Sequence, residues 1–259
     1  MLTAAKRVEL AERLARAERD RTPIDPPALG LSDMDVIDAY QVQLLNIRRR
    51  VSDGARVAGH KIGLSSAAMQ QMMGVDEPDY GHLLDDMRLA EDKPVDSARY
   101  CFPRVEIEVG FVLGSDLPGE GCAEADVIAA TEALAPAIEL IDSRIADWKI
   151  GICDTIADNA SSAGFVLGVN RIPPSEVDVT AIDAVLWSGD EAIASGRSDA
   201  VLGNPATAVA WLAAKVAHFG VRLKAGDIVL PGSCIMAMDV HPAEEFTADF
   251  SGLGTVRLT

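Results

Sequence analysis

The chain has 259 residues, 49% of them hydrophobic and 24% charged, a balance that excludes disorder and suits one large domain, or a domain with an appendage, around a proper core. Forty acidic against 23 basic residues leave a net charge of −17, which argues against nucleic acid or an anionic membrane surface as a partner. An anionic substrate would therefore need local positive potential from a Lys, an Arg or a metal ion.

The N-terminal "MLTAAKRVELAERLARAERDR" is too charged for a secretory signal. Residues 3–21 read as a charged helix with a narrow apolar stripe at Leu10 and Leu14. After the Pro-rich break "TPIDPPALGLS", Ser32 and Asp35 have capping-box-like spacing. Val36, Tyr40, Leu44, Ile47 and Val51 then recur at helical spacing. Residues 1–55 are thus expected to form a helical N-terminal portion, and 56–259 a β-rich core. No apolar run approaches the roughly 20 residues of a membrane span, so the expectation is a soluble, cytoplasmic protein. Cys101, Cys122, Cys153 and Cys234 show no C-x-x-C pairing and are expected as free thiols.

From residue 56 the texture changes to short apolar runs separated by Gly, Pro and Asp. "ARVAGHKIGLSS" predicts a strand closing on a Ser cap, "SAAMQQMMG" a short helix stopped by Gly74, and "DEPDYGHLLDD" an acidic loop. "PRVEIEVGFVL" predicts a strand, and "EADVIAATEALAPAIELID" a helix running into a second apolar segment. "GNPATAVAWLAAKVAHFG" is the clearest helix of the second half, with Asn204 as cap, Pro205 at its first position and Gly220 beyond its end. "AGDIVLPGS" is a short strand between turns. Without repeats or a regular strand–helix alternation, the pattern predicts an α+β fold with a mixed or mostly antiparallel core.

Three acids carry the chemical interest. Glu106 and Glu108 share one face of their strand, roughly 6.5–7 Å apart. They are either a solvated face or an inward pair that requires a cation. A hard divalent ion such as Mg²⁺ or Mn²⁺ takes two or three carboxylates. Glu139 lies inside the apolar run "PAIELID", so it is either on an exposed edge or held by a partner; Asp142, at the end of that run, reads as a turn residue. Lys61, set between Gly59-His60 and Ile62-Gly63, is either a snorkelling surface residue or, beside a metal, a group that binds a carboxylate or moves protons. His60 and His82 are weaker candidates. No Ser-His-Asp order, Walker A loop or dinucleotide fingerprint is present. "DTIADNASS" is either a capped turn or a donor-rich loop facing a carboxylate or keto oxygen.

Together "GHKIGLSSAAMQQMMGVDEPDYGHLLDDM", "PRVEIEVGFVL", "PAIELIDSRIADWK", "DTIADNASS" and "LGNPATAVAWLA…GDIVLPGS" resemble the 2-hydroxypenta-2,4-dienoate (2-keto-4-pentenoate) hydratases of the fumarylacetoacetate hydrolase superfamily. The closest likeness is to those of bacterial meta-cleavage pathways for aromatic and steroid rings, and it runs from about residue 32 to the C-terminus with the segments in the same order. The resemblance implies a fumarylacetoacetate hydrolase C-terminal-domain-like core, a Mg²⁺ or Mn²⁺ site, and a homo-oligomer, often built on pentamers. It places metal ligands at Glu106, Glu108 and Glu139, substrate handling at Lys61, an acidic loop residue at Asp79 and a short polar loop at Ser161. Gly110 stands where relatives often have Ala. The implied reaction protonates a small anionic 2-hydroxydienoate at its far carbon, and water then adds at C4 to give a 4-hydroxy-2-oxo acid. Lys61 and Asp79 share proton transfer and carboxylate binding, while Ser161 holds the carboxylate or C2 oxygen. A 2-oxo-3-hexenedioate (4-oxalocrotonate) decarboxylase is the alternative, and a C–C bond hydrolase ranks behind both. A different class is a non-catalytic oligomeric partner of a neighbouring pathway enzyme.

Overall fold

The computed structural model describes residues 1–66, 69–71, 74–91 and 93–259. Helix α1 (Ala4–Asp20) is capped by Thr3 and buries Leu10, Ala11, Leu14, Ala15 and Ala17, the expected stripe widened by alanines. Helix α2 (Val36–Ser52) buries Tyr40, Leu44 and Ile47, but its capping box is Asp35 with Asp38, not Ser32 with Asp35. A turn at residues 31–34, closed by Met34 N–H on the Leu31 carbonyl, delays the helix start. The buried Asp38 carboxylate also accepts Leu2 N–H (2.8 Å) and Arg7 Nε–H (2.7 Å), which ties the two helices together. The predicted "SAAMQQMMG" helix includes residues 67–68 and 72–73, which lie outside the described residues.

The core is a mixed sheet of β1 (Val57–Gly63), β2 (Asp79–Leu84), β3 (Arg104–Leu113), β4 (Thr131–Ile141), β5 (Ser162–Leu167) and β8 (Ile228–Leu230). Their order is β2-β1-β8-β3-β4-β5, with the short β9 (Met238–Asp239) paired to β3. Among these pairs β1–β8 is parallel and the rest are antiparallel. The sheet curls until its edges approach: Leu89 N–H, just past β2, donates to the Phe165 carbonyl of β5 at 2.8 Å. A four-stranded antiparallel sheet, β11-β10-β6-β7, packs its β10–β11 hairpin near β4. Its strands are β6 (Asp183–Ser188), β7 (Glu191–Arg197), β10 (Phe246–Phe250) and β11 (Gly254–Leu258).

Helices α3 (Glu124–Ala130), α4 (Ile152–Ala157) and α5 (Pro205–Ala217) lie between the strands, α5 with the expected Asn204 cap and Pro205. The acidic-loop expectation for residues 76–86 is corrected: Asp79–Leu84 is a fully buried strand. Asp76, Glu77 and Pro78 disguise its start, and Asp79 finds partners that the local sequence cannot show.

Strand alternation separates two environments. One face of the sheet joins Leu10, Leu14 and Tyr40 of the helices to Ile107, Phe111, Leu212 and Phe246 in the main core. The other, inner face carries Leu83, Ala135, Ala137, Phe165, Leu167 and Leu230 as a smaller apolar cluster. A methyl group on Gly110 would meet Leu167 Cδ1 there at 2.9 Å, the far end of a side chain that can yield. By the same registers Asp79, Lys61, Glu106, Glu108 and Glu139 occupy this inner face. Among the described residues no helix is long and apolar enough to cross a membrane, and all four cysteines are free thiols.

Candidate active site

Glu106, Glu108 and Glu139 converge, each offering a carboxylate oxygen within 4.8 Å of the others'. Glu108 and Glu139 are buried and Glu106 is half-buried, so the cluster faces inward and opens to solvent on the Glu106 side. Glu108 Oε2 accepts Gly232 N–H at 2.7 Å. Its Oε1 and Glu139 Oε1 are buried with no hydrogen-bond partner in the chain, and Glu139 Oε2 has only the ion pair with Lys61. Buried carboxylate oxygens left this short of partners are costly, and a divalent cation would satisfy them. The residues therefore fit a divalent metal ion with an all-oxygen set.

Electrostatics say the same. Burial raises the carboxyl pKa of Glu106, with Lys61 opposing, and raises Glu108 well above its ordinary range, reinforced by Glu139 and Glu106. For Glu139 burial is again the largest cause; Lys61 pulls against it and Glu106 adds to it, leaving the group at about 7.

Lys61, on β1, is buried, with Nζ 3.4 Å from Glu139 Oε2 and donating to the Ala160 carbonyl at 3.0 Å. Burial alone would lower its pKa, but Glu139, Glu106, Asp79 and Glu108 together outweigh it, so the side chain is a held ammonium ion. Asp79, at the start of β2, is raised by burial against the pull of Lys61 and a hydrogen bond from Thr155. Thr155 Oγ1 donates to its Oδ2 at 3.1 Å, while Oδ1 has no partner. The carboxylate crosses directly over Gly63, where a Cβ would collide with Oδ1.

Ser161 ends a turn in which Asn159 (φ 55°), Ala160 (φ 50°) and Ser161 (φ 56°) are successively left-handed. Each such residue costs of order 1 kcal/mol or more, and strain of this kind collects at functional sites. Asn159 behaves as a short strand partner, its Oδ1 accepting His82 N–H (2.8 Å) and its Nδ2 donating to the His82 carbonyl (3.0 Å). The turn thereby aims the Ala160 carbonyl at Lys61 and buries Ser161 Oγ without a partner.

The structure thus brings Lys61, Asp79, Glu106, Glu108 and Glu139 onto one face, with the Ser161 turn against Lys61. His60 and His82 alternate away from that face and pack against each other with rings tilted at 51°, centroids 4.7 Å apart. Gln43 Nε2 donates to the Tyr80 and Ile156 carbonyls, so its Oε1 accepts and the His82 proton sits on Nδ1. Asp142, just past the end of β4, is buried and accepts the Cys101 and Phe102 N–H groups. Sequence reasoning missed Gly232, the Ala160 carbonyl and Thr155. The first two act through the backbone. The Thr155 signal, a hydroxyl inside "CDTIADN", does not stand out from an ordinary helix.

The family model for the fumarylacetoacetate (FAA) hydrolase C-terminal region matches residues 86–259. The chain is 41% identical over 256 residues to the 2-keto-4-pentenoate hydratase of Paraburkholderia xenovorans (strain LB400), covering 99% of this chain and 95% of that one. It is 40% identical over 246 residues to the 2-hydroxyhexa-2,4-dienoate hydratase of Comamonas testosteroni, covering 94% and 93%. Among solved structures, 4-oxalocrotonate decarboxylase from Pseudomonas putida G7, complexed with magnesium and adipate, superposes with a TM-score of 0.96. That match has 35% identity and covers 100% of this chain and 98% of that one.

Proposed function

The chain belongs to the fumarylacetoacetate hydrolase superfamily and within it to the 2-keto-4-pentenoate hydratase family, and from that premise we propose that it is a hydro-lyase adding water to 2-hydroxypenta-2,4-dienoate or a short homologue. The product is a 4-hydroxy-2-oxo acid, as meta-cleavage breakdown of an aromatic or steroid ring requires. The observation that carries the chemistry is the inward-facing carboxylate trio set against Lys61.

Mg²⁺ or Mn²⁺ held by Glu106, Glu108 and Glu139 would supply positive charge for the anionic substrate and Lewis-acid polarisation of its C2 oxygen. The chain's own groups do the rest. Lys61, kept as ammonium by its acidic neighbours, binds a substrate oxygen or delivers a proton from Nζ. Asp79 has a raised pKa and a partnerless Oδ1, which suit it to take and return a proton. Ser161 Oγ donates to the substrate carboxylate or C2 oxygen. The proton lost from the C2 hydroxyl is balanced by one gained at C5, giving the α,β-unsaturated ketone; water then adds OH at C4 and H at C3. We further infer a soluble cytoplasmic homo-oligomer, pentamer-based as the family resemblance implies, with room for association with a neighbouring pathway enzyme.

The second reading is a 2-oxo-3-hexenedioate decarboxylase, favoured by the 0.96 TM-score to such an enzyme. Higher identity to hydratases, 41% against 35%, ranks it second. An ultraviolet assay with freshly made 2-hydroxypentadienoate beside 2-oxo-3-hexenedioate, with EDTA controls, separates them. Loss of the first substrate supports the hydratase. CO₂ release from the second, with the first untouched, reverses the ranking.

A further inference from the structure

Arg144 lies three residues beyond the end of β4 and is buried. Its backbone N–H donates to Asp158 Oδ2 (2.9 Å) and its Nε to Asp158 Oδ1 (2.6 Å). Nη2 donates to the Asp158 carbonyl (2.5 Å) and Nη1 to the Ser162 carbonyl (3.3 Å). One guanidinium therefore grips both shoulders of the left-handed turn, residues 158 and 162, with the three strained residues between them.

We propose that Arg144, paired with Asp158, is a positioning residue for the reaction: it holds the 159–161 turn in its left-handed shape and so sets the Ala160 carbonyl and Ser161 Oγ against Lys61 and the substrate. The inference rests on the reading of Lys61 and Ser161 as substrate-handling groups. A planar fork is needed because the acceptors are a carboxylate and two carbonyls at opposite ends of the turn; the point charge of a lysine cannot reach them all. The metal carboxylates stand on β3 and β4, outside the turn, so loosening it separates catalysis from metal binding. A buried ion pair acting as a fold staple alone would not make that separation.

The test uses full-length Mn²⁺-loaded protein as wild type, Arg144→Lys, Asp158→Asn, Arg144→Lys/Ala160→Gly and Lys61→Met. For each, kcat and KM with 2-hydroxypentadienoate are normalised to folded protein. Mn²⁺ affinity is measured without substrate, and amide hydrogen exchange is followed at residues 159–162. Arg144→Lys is expected to lose on the order of 10²-fold in kcat/KM, the scale of an ångström-size misplacement. Its Mn²⁺ affinity stays within about twofold, and exchange in the turn accelerates at least about tenfold. Adding Ala160→Gly returns several-fold of the activity, because glycine takes φ near +50° without strain. Wild-type protection of the turn in Arg144→Lys overturns the proposal. So does activity lost in step with Mn²⁺ binding, or a double variant no better than the single one. Should Arg144→Lys not fold, Asp158→Asn decides by the same exchange measurement. Wild-type turnover by Lys61→Met would sink the catalytic reading and leave the exchange result to judge the clamp by itself.

Discussion

Glu106 on β3 stands directly opposite Glu139 on β4 in the antiparallel register. Like charges at a directly opposed cross-strand position repel, and with Glu139 buried and Glu106 half-buried water screens them poorly. An arrangement that weakens the sheet without an ion is what a built cation site demands.

Glu106→Gln should therefore act on function and on stability with opposite sign. Activity should fall by about two orders of magnitude or more and Mn²⁺ binding should weaken. The metal-free variant should melt at or above the wild-type temperature, because one of two opposed charges is gone. Calorimetric Mn²⁺ titration and thermal unfolding in EDTA check both halves. Wild-type turnover by this variant would remove the metal assignment.

Metal affinity should depend on pH through the same carboxylates. Glu139, raised to about 7 in the metal-free protein, binds a proton that the ion must displace. Apparent Mn²⁺ affinity should thus fall as the pH drops from 8 to 6. The stability sign is opposite. A carboxyl whose folded pKa lies above its unfolded value destabilises the fold at high pH, and that penalty is relieved as pH falls through 7 toward 4.5. Added Mn²⁺ should erase this acid gain.

Gly232 should tolerate no side chain. Its φ is 126°, and a Cβ would collide with Ser65 Oγ. Gly232→Ala must move the loop that gives its N–H to Glu108. We expect a loss of about 1–3 kcal/mol of stability and weaker Mn²⁺ binding. Unchanged unfolding and unchanged metal affinity would contradict the geometry.

His82 predicts an acid limit. Burial lowers its pKa from 6.5 to about 4, so between these values the unfolded chain binds a proton that the folded chain refuses. Stability from this residue is intact above pH 6.5 and declines as pH falls toward 4, by up to about 3 kcal/mol. The difference in unfolding free energy between wild type and His82→Gln, followed from pH 7 to 4, should shift against wild type by that amount. A pH-independent difference would mean that His82 protonates freely in the fold.

The convergence of the three carboxylates was legible because a carboxylate inside an apolar strand is loud: Glu139 between Ile138 and Leu140 needs a reason wherever it sits. The capped α5 and the β3 strand were legible from local pattern for the same reason, since cap residues and alternation act at short range. Strand β2 was not. The acids and Pro78 around its start look like a loop, and its burial is secured by Thr155 and Gln43, which lie 76 and 37 positions from their hydrogen-bond partners in the strand. Gly232 and Ala160 were silent because they contribute an N–H and a carbonyl, which every residue but proline has. Arg144 carries no local signal in "IDSRIADWK"; only the fold makes it internal.

The placement of β8 bears on the order in which the molecule is made. Residues 228–230 lie between β1 and β3, parallel to the first and antiparallel to the second. A nascent chain that has left the ribosome as far as residue 225 already carries Lys61 and all three carboxylates, yet lacks the strand that sets β1 beside β3. Closing that gap joins positions about 170 residues apart, among the slowest kinds of contact to form. The three carboxylates meet within the β3–β4 pair and do not wait for this step; what closes last is the seating of Lys61 against them, so the grouping of the acids should precede catalytic competence as the chain folds.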